Sequence, residues 1–510
     1  MTITFQSLPL EPTCLSFVQR LSIEGFIPAA KYNDNIEDPD LPGPAQRSCP
    51  GEDEWTDLGT RHSNVLPSSN IIPIDIDEMA PWIPLSEFTR KLSGLRDLLW
   101  IAWTHCPPSL LDVLRHDLPN CRLHLRASTF NHLYSTVHLP NIRMGNIQNA
   151  AVYTERAITQ LAAGLAPNLT HVYMHYNNPS PLVYDETRQK PPRGHLFTER
   201  LSSLSHICSL GLHNPSLESI ETWSKHTPFS NLTTLQLCGN YNYQLLVKLT
   251  TYKFSSLKNL VLCFKENIAP RCCYGVVAGL DKDPDSLLSR LPPLESLLIT
   301  APYAEQPLAI PFEHHGPILQ KLGHVLSRPM RHPGRGTHIA PGLIKEIHAH
   351  YTKLRHLTIR IPRTQGNRDE VNLYRALHIL PLSSLTLELD CTAIGKDPEP
   401  VLANLAIDES LVRSIFSTIT GSDSSSLLLQ TLRIEVFMSL TIGTVEIFYA
   451  LMGETIWEVF CAPDGVFVHE SLRDKRNSWR AKGPQRNDWM ADVPSEKAFR
   501  ELWPFPLQLE

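Results

Sequence analysis

Two stretches of this chain say nearly the same thing. Residues 229–240 read F-S-N-L-T-T-L-Q-L-C-G-N, and residues 254–263, 25 positions on, read F-S-S-L-K-N-L-V-L-C. Six of the ten aligned positions are identical, and the shared skeleton is L-x-x-L-x-L. The alternation L-x-L puts every second side chain of a strand on one face, and the leucine three residues earlier fills the turn into it. Three buried aliphatics contribute roughly 5–9 kcal/mol. Fixing the backbone of ~25 residues costs several times that. Such a unit cannot stand alone and must share its leucines with neighbours on both sides.

The same skeleton recurs along the chain as Leu169-Val172-Met174, Ile207-Leu210-Leu212, Leu232-Leu235-Leu237, Leu257-Leu260-Leu262, Leu294-Leu297-Ile299, Leu354-Leu357-Ile359, Leu382-Leu385-Leu387 and Leu429-Leu432-Ile434. Weaker copies precede these: Val18-Leu21-Ile23, L-R-D-L-L-W-I from Leu95, N-C-R-L-H-L around Leu123, and Leu139-Ile142-Met144. Asn177 and Asn240 extend two copies to L-x-x-L-x-L-x-x-N, the consensus of leucine-rich repeats. Leu245, Leu246 and Leu249 fall on one side of a short helix between two copies. First anchors from Leu169 onward lie 38, 25, 25, 37, 60, 28 and 47 residues apart. The expected fold is therefore α/β: an irregular leucine-rich-repeat solenoid with parallel strands on its concave face, short helices on its convex face, and loop insertions.

The stretches between and beyond the copies set the domain reading. Residues 1–30 hold a first repeat-like strand, and 31–70, rich in acids and turn formers, read as an acidic flexible insertion. The solenoid is expected over 80–440, with a basic His/Arg insertion at 314–345 that contains no Asp or Glu. Residues 441–510 read as a C-terminal hairpin, turning at Pro463-Asp464-Gly465, and a tail whose Trp479, Trp489 and Trp503 would cap the last repeat.

Composition narrows the function classes. Lys and Arg number 46 against 52 Asp and Glu, a formal net charge of −6, which argues against a general nucleic-acid binder. The first residues show no signal peptide, and the 11 cysteines contain no C-x-x-C pair, so a reducing cytoplasmic or nuclear location is expected. The apolar window 439–460 carries Glu446, Glu454 and Glu458, which excludes a membrane helix there.

No catalytic motif assembles. G-R-G-T-H-I at Gly334 lacks the third glycine of a dinucleotide loop, and G-x-S-x-G, H-E-x-x-H and P-loop patterns are missing. The adjacent pairs His314-His315 and Cys272-Cys273 do not converge on a metal. The reading is of a non-enzyme with no cofactor and no metal.

Between the leucines, the strand residues of the concave face are the candidate protein-binding positions: Thr170, His171, Tyr173, Thr234, Gln236, Lys258, Asn259, Val261, Arg355, His356, Thr358, Ser384, Thr386, Thr431 and Arg433. The row is polar and mixed in charge, which favours a protein partner over a lipid. The alternative is an anion or nucleic-acid binder using the basic segments 321–345 and 473–486, with Arg328, Arg331 and Arg335 as ligands.

The chain resembles fungal F-box-associated leucine-rich-repeat proteins. The resemblance covers roughly 80–460 and is carried by K-L-S-G-L-R-D-L-L-W-I-A-W-T-H-C-P-P-S-L-L-D-V-L with L-P-N-C-R-L-H-L, by the later L-x-x-L-x-L strands, and by the Trp-bearing tail. It implies repeats that bind a protein to be ubiquitinated, joined to an SCF ligase adaptor by an F-box. S-L-P-L-E-P matches an F-box opening, but Pro12 stands where its first helix should grow, so the F-box itself is not recognisable and the adaptor is a partner only if one lies upstream.

Overall fold

In a computed structural model, the described residues are 15–25, 82–102, 106–127, 142–150, 158–159, 162, 166, 168–176, 206–239, 243–264, 287–301, 314–326, 341–391, 404, 407, 409–421, 429–437, 456–462 and 465–470. The fold is mixed α/β, with mostly parallel strands and short helices. The chain divides into two compact units, Met1–Leu257 and Lys258–Glu510.

The first unit carries β1 (Arg20–Gly25), β2 (Asp97–Ala102), β3 (Arg122–Ala127), β4 (Ile142–Ala150), β5 (His171–Tyr176), β6 (Ser209–His213) and β7 (Thr234–Gly239). Each pairs in parallel with the next in chain order. Its helices are α1 (Ile83–Arg90), α2 (Pro108–His116), α3 (Leu217–His226) and α4 (Tyr243–Leu249). Leu245, Leu246 and Leu249 are buried, as the periodicity predicts. The α3 helix begins where Ser216 accepts the Ser219 amide at 3.0 Å, an N-cap that satisfies one orphan donor.

The second unit carries β8 (Asn259–Phe264), β9 (Ser296–Ala301), β10 (Lys321–Leu326), β11 (His356–Pro362), β12 (Ser384–Asp390), β13 (Thr431–Phe437), β14 (Ile456–Ala462) and β15 (Gly465–Glu470). From β8 to β13 the pairing is parallel and sequential, and β13–β14 and β14–β15 are antiparallel. Its helices are α5 (Leu287–Arg290), α6 (Pro341–His350), α7 (Arg368–Leu377) and α8 (Glu409–Thr420).

Register turns the sequence repeat into stacked columns. In the second unit Leu260, Leu297, Leu322, Leu357, Leu385, Leu432 and Val459 stand opposite one another in succession, each at most 2% exposed. In the first, Val172, Leu210 and Leu235 do the same. Each fully buried member contributes roughly 1.5–3 kcal/mol and fills space against both neighbours, which supplies the shared core that a single unit lacks.

A second ladder runs through the turns. The carbonyl before each strand accepts two amides from the next turn: Glu295 and Ser296 donate to Lys258, Gln320 and Lys321 to Glu295, and Arg355 and His356 to Gln320. Ser383 and Ser384 then donate to Arg355, and Gln430 and Thr431 to Ser383. Successive turns thus share one hydrogen-bonding pattern.

Two expectations need correction. Residues 321–326, placed by sequence inside a basic insertion, form β10 with its own first anchor, Leu319, so the gap of 60 residues holds two turns of 25 and 35. His324 stands where the third aliphatic would be, which hides this copy from the L-x-x-L-x-L pattern. Met144 does not align with the third anchors, because a register shift between Leu123 and His124 sets it opposite His124 and brings Ile147 opposite Met174.

β14 and β15 pair antiparallel, with Ala462 opposite Gly465. Residues 31–70, Asn177, Asn240, the three tail tryptophans, and Arg328, Arg331 and Arg335 lie outside the described residues, as does the segment 473–486.

Candidate functional site

Opposite the leucine columns of the second unit, the sheet presents rows set by the same register. The first row runs Asn259, Ser296, Lys321, His356, Ser384, Thr431, Phe460, Phe467 across all eight strands. The second runs Val261, Leu298, Gly323, Thr358, Thr386, Arg433, Glu458, His469. Lys321, His356, Phe460, Phe467 and His469 are exposed, while Thr358, Ser384, Thr386, Thr431 and Arg433 are half-buried.

The third row is charged on β11, β12 and β13, at Arg360, Glu388 and Glu435. Arg360 and Glu388 face each other on β11 and β12, with Arg360 Nε donating to Glu388 Oε2 at 2.8 Å, and both side chains are buried. Arg433 adds Nε to Glu435 Oε1 at 2.6 Å and lies 3.7 Å from Glu458 Oε1. A buried pair of this kind gives little net stability, because desolvation offsets its attraction, but losing one partner strands the other charge. It fixes the side chains bordering the hydroxyl-rich middle of the face.

Of the sequence-predicted positions, Lys258, Asn259, Arg355, His356, Thr358, Ser384, Thr386, Thr431 and Arg433 come together on this face or at its rim. Val261 does not belong to the accessible set, at 5% exposed. In the first unit Thr170, His171 and Thr234 are half-buried, whereas Tyr173 and Gln236 are buried, at 6% and 0%. Tyr173 lies over the glycine that faces it, Gly211, so its ring fills the place of a missing side chain. Strand parity assigns a face, but it cannot say what covers that face.

Sequence reasoning missed Phe460, Phe467 and the Arg360–Glu388 pair. The signal for the pair was present in L-T-I-R-I and L-T-L-E-L, where alternation continues past the third anchor and places a charge at the next outward position. The phenylalanines needed the antiparallel register, which the skeleton does not encode.

A second polar cluster sits in the first unit. Asp97 on β2 accepts from Arg122 Nη2 at 2.6 Å and bonds His124 Nε2 at 2.9 Å. Burial works to raise the Asp97 carboxyl, but the hydrogen bonds from Arg122 and His124 outweigh it and hold the group below its ordinary range. Burial, together with the charges of Arg122 and Arg20, lowers His124 against the raising effect of Asp97, and His171 is lowered by burial and then by His124. The Asp97–His124 pair is thus a carboxylate beside a mostly neutral imidazole. Burial pushes the nearby Cys121 thiol up to about 12, so it is no nucleophile at neutral pH.

Among the described residues, no group of three or more His, Cys, Asp or Glu is placed to hold a metal ion, and no helix is long and apolar enough to cross a membrane. No protein-family model matches the chain, and no curated protein matches it.

Proposed function

We propose that the chain is a leucine-rich-repeat solenoid that acts as a non-catalytic protein-binding module, with its partner on the outward rows of the second unit. One observation carries this reading: a single in-register row across β10–β15 combines Lys321, His356, Ser384, Thr431, Phe460 and Phe467. Cation, imidazole, hydroxyls and aromatics side by side suit the mixed chemistry of a protein surface. Repeated turn hydrogen bonds and stacked leucine columns support the solenoid part of the reading. The likeness to F-box-associated repeat proteins extends the proposal to recruitment of a protein for ubiquitination, with an SCF ligase adaptor engaged only through an F-box.

Anion or nucleic-acid binding gains less support. The described face carries Glu388, Glu435 and Glu458 close to its arginines, which lowers its attraction for phosphate.

Affinity capture from cells tests the proposal when the parent chain is compared with Thr386→Arg, a half-buried position at the middle of the face. The expected result is a reproducible partner that the variant loses. Partners retained unchanged by the variant, or no partner at all, would count against the docking face.

A further inference from the structure

Among the exposed large apolar side chains described, Phe460 and Phe467 form a direct cross-strand pair, at 38% and 51% exposed. Isolated exposed apolar residues are ordinary on any surface, but a facing aromatic pair on a fixed hairpin is not. The hairpin is held from behind: Trp457 and Val459 are buried on its other face, and Arg413 Nη1 of α8 donates to the Val466 carbonyl at 3.0 Å. The pair therefore stands as a preset apolar platform that loses little entropy when covered.

At the far end of the same row stand Lys321 and His356, with Arg355 exposed beside them. Between the two ends lie Ser384 and Thr431, half-buried hydroxyls that donate and accept. From β10 to β15 the row spans about 24 Å at ~4.8 Å per strand.

We infer that the face takes a bipartite polypeptide segment: an aliphatic or aromatic anchor seated on Phe460 and Phe467, and carboxylates toward Lys321, Arg355 and His356. Extended across the strands, such a segment spaces anchor and acids by about four to seven residues at ~3.4 Å each. Charge complementarity sets its direction, and the aromatic pair holds the anchor. This inference rests on the docking-face reading and names the chemistry of its partner.

The test is selection of a displayed random 16-residue peptide library on the full chain. Enriched peptides are expected to share an acidic cluster and a Leu, Phe or Trp about four to seven residues apart. Their binding should weaken at least ~10-fold on Phe460→Ala with Phe467→Ala, and similarly on Lys321→Glu with Arg355→Glu, while losing strength with salt. Phe467→Lys alone, at an exposed site, serves as a second variant should the double replacement loosen the hairpin. Peptides without that pattern, or binding indifferent to the phenylalanine variants, overturn the inference, as does no enrichment over the bare support. If those peptides are nevertheless lost on Thr386→Arg, the docking face survives and only the bipartite partner falls. Tighter binding of a single-stranded RNA oligonucleotide, lost with Phe460 and Phe467, would overturn it in favour of nucleic acid.

Discussion

Arg363 and Glu370 form an ion pair with both side chains fully buried, Nη1 lying 2.7 Å from Oε1 and 2.9 Å from Oε2. The same carboxylate accepts the amides of Thr364 and Gly366, the Thr364 hydroxyl, and the Tyr374 hydroxyl. It thereby ties the loop after β11 to the first turn of α7, where Asn367 accepts the Glu370 amide. Positive φ at Gln365 and Gly366 closes the turn.

Glu370→Ala is expected to lower stability by about 3–5 kcal/mol, because it strands a buried guanidinium and two loop amides at once. Adding Arg363→Met should recover only part of the loss, since the amides stay unpaired. Chemical denaturation of both variants checks this. Full recovery in the double variant would mean that the charge pair alone mattered.

His315 gives a pH dependence of definite sign. It is buried, accepts the Leu294 amide on Nδ1 at 3.2 Å, and donates from Nε2 to the Leu288 carbonyl at 3.1 Å, an arrangement open only to the neutral ring. Burial, aided by the neighbouring His314, pushes its pKa down to about 4. The unfolded chain binds its proton near pH 6.5, so this contribution is complete above that value and is lost as pH falls from 6.5 towards 4, on the order of 3 kcal/mol in all. His124 and His171, also lowered, act in the same direction. Melting temperature should fall across this window, and His315→Gln should be less stable at neutral pH but flatter in its pH profile.

Two glycines facing bulky neighbours should respond differently. A β-carbon at Gly211 would meet the Tyr173 ring, which is rigid and buried, whereas one at Gly323 would meet the tip of Leu298. Gly211→Ala is expected to cost about 1–3 kcal/mol by overpacking, and Gly323→Ala less, because a leucine methyl can rotate away. Equal losses in thermal unfolding would contradict the packing described.

Leu322→Ala should destabilise as much as Leu297→Ala or Leu357→Ala, about 2–5 kcal/mol each. This follows from its place between them in one column. A near-neutral Leu322→Ala would return residues 321–326 to the status of an insertion.

Much of the core could be read from sequence, because alternation and the preceding leucine are local signals with a fixed period. Leu235, Leu260, Leu297 and Leu357 all take buried positions in the columns. What escaped is a broken local pattern or depends on non-local pairing. The β10 copy was hidden by His324, the Met144 register by a shift against β3, and the Phe460–Phe467 pair by an antiparallel return. Tyr173, Gln236 and Val261 were assigned to an open face by parity alone, and burial removes them from it. The Glu370 hub assembles within a few residues of chain, yet nothing in R-T-Q-G-N-R-D-E announces that its carboxylate turns inward.

Contact between the outward rows of the second unit and a protein partner is what we propose. Its most direct test is a photocrosslinking amino acid placed in cells at Thr358, at Thr386, or at Glu346 on the exposed side of α6. Adducts of one common mass from both threonine positions, with none from Glu346, are predicted. Adducts from Glu346 alone, or equal labelling at all three sites, would contradict it.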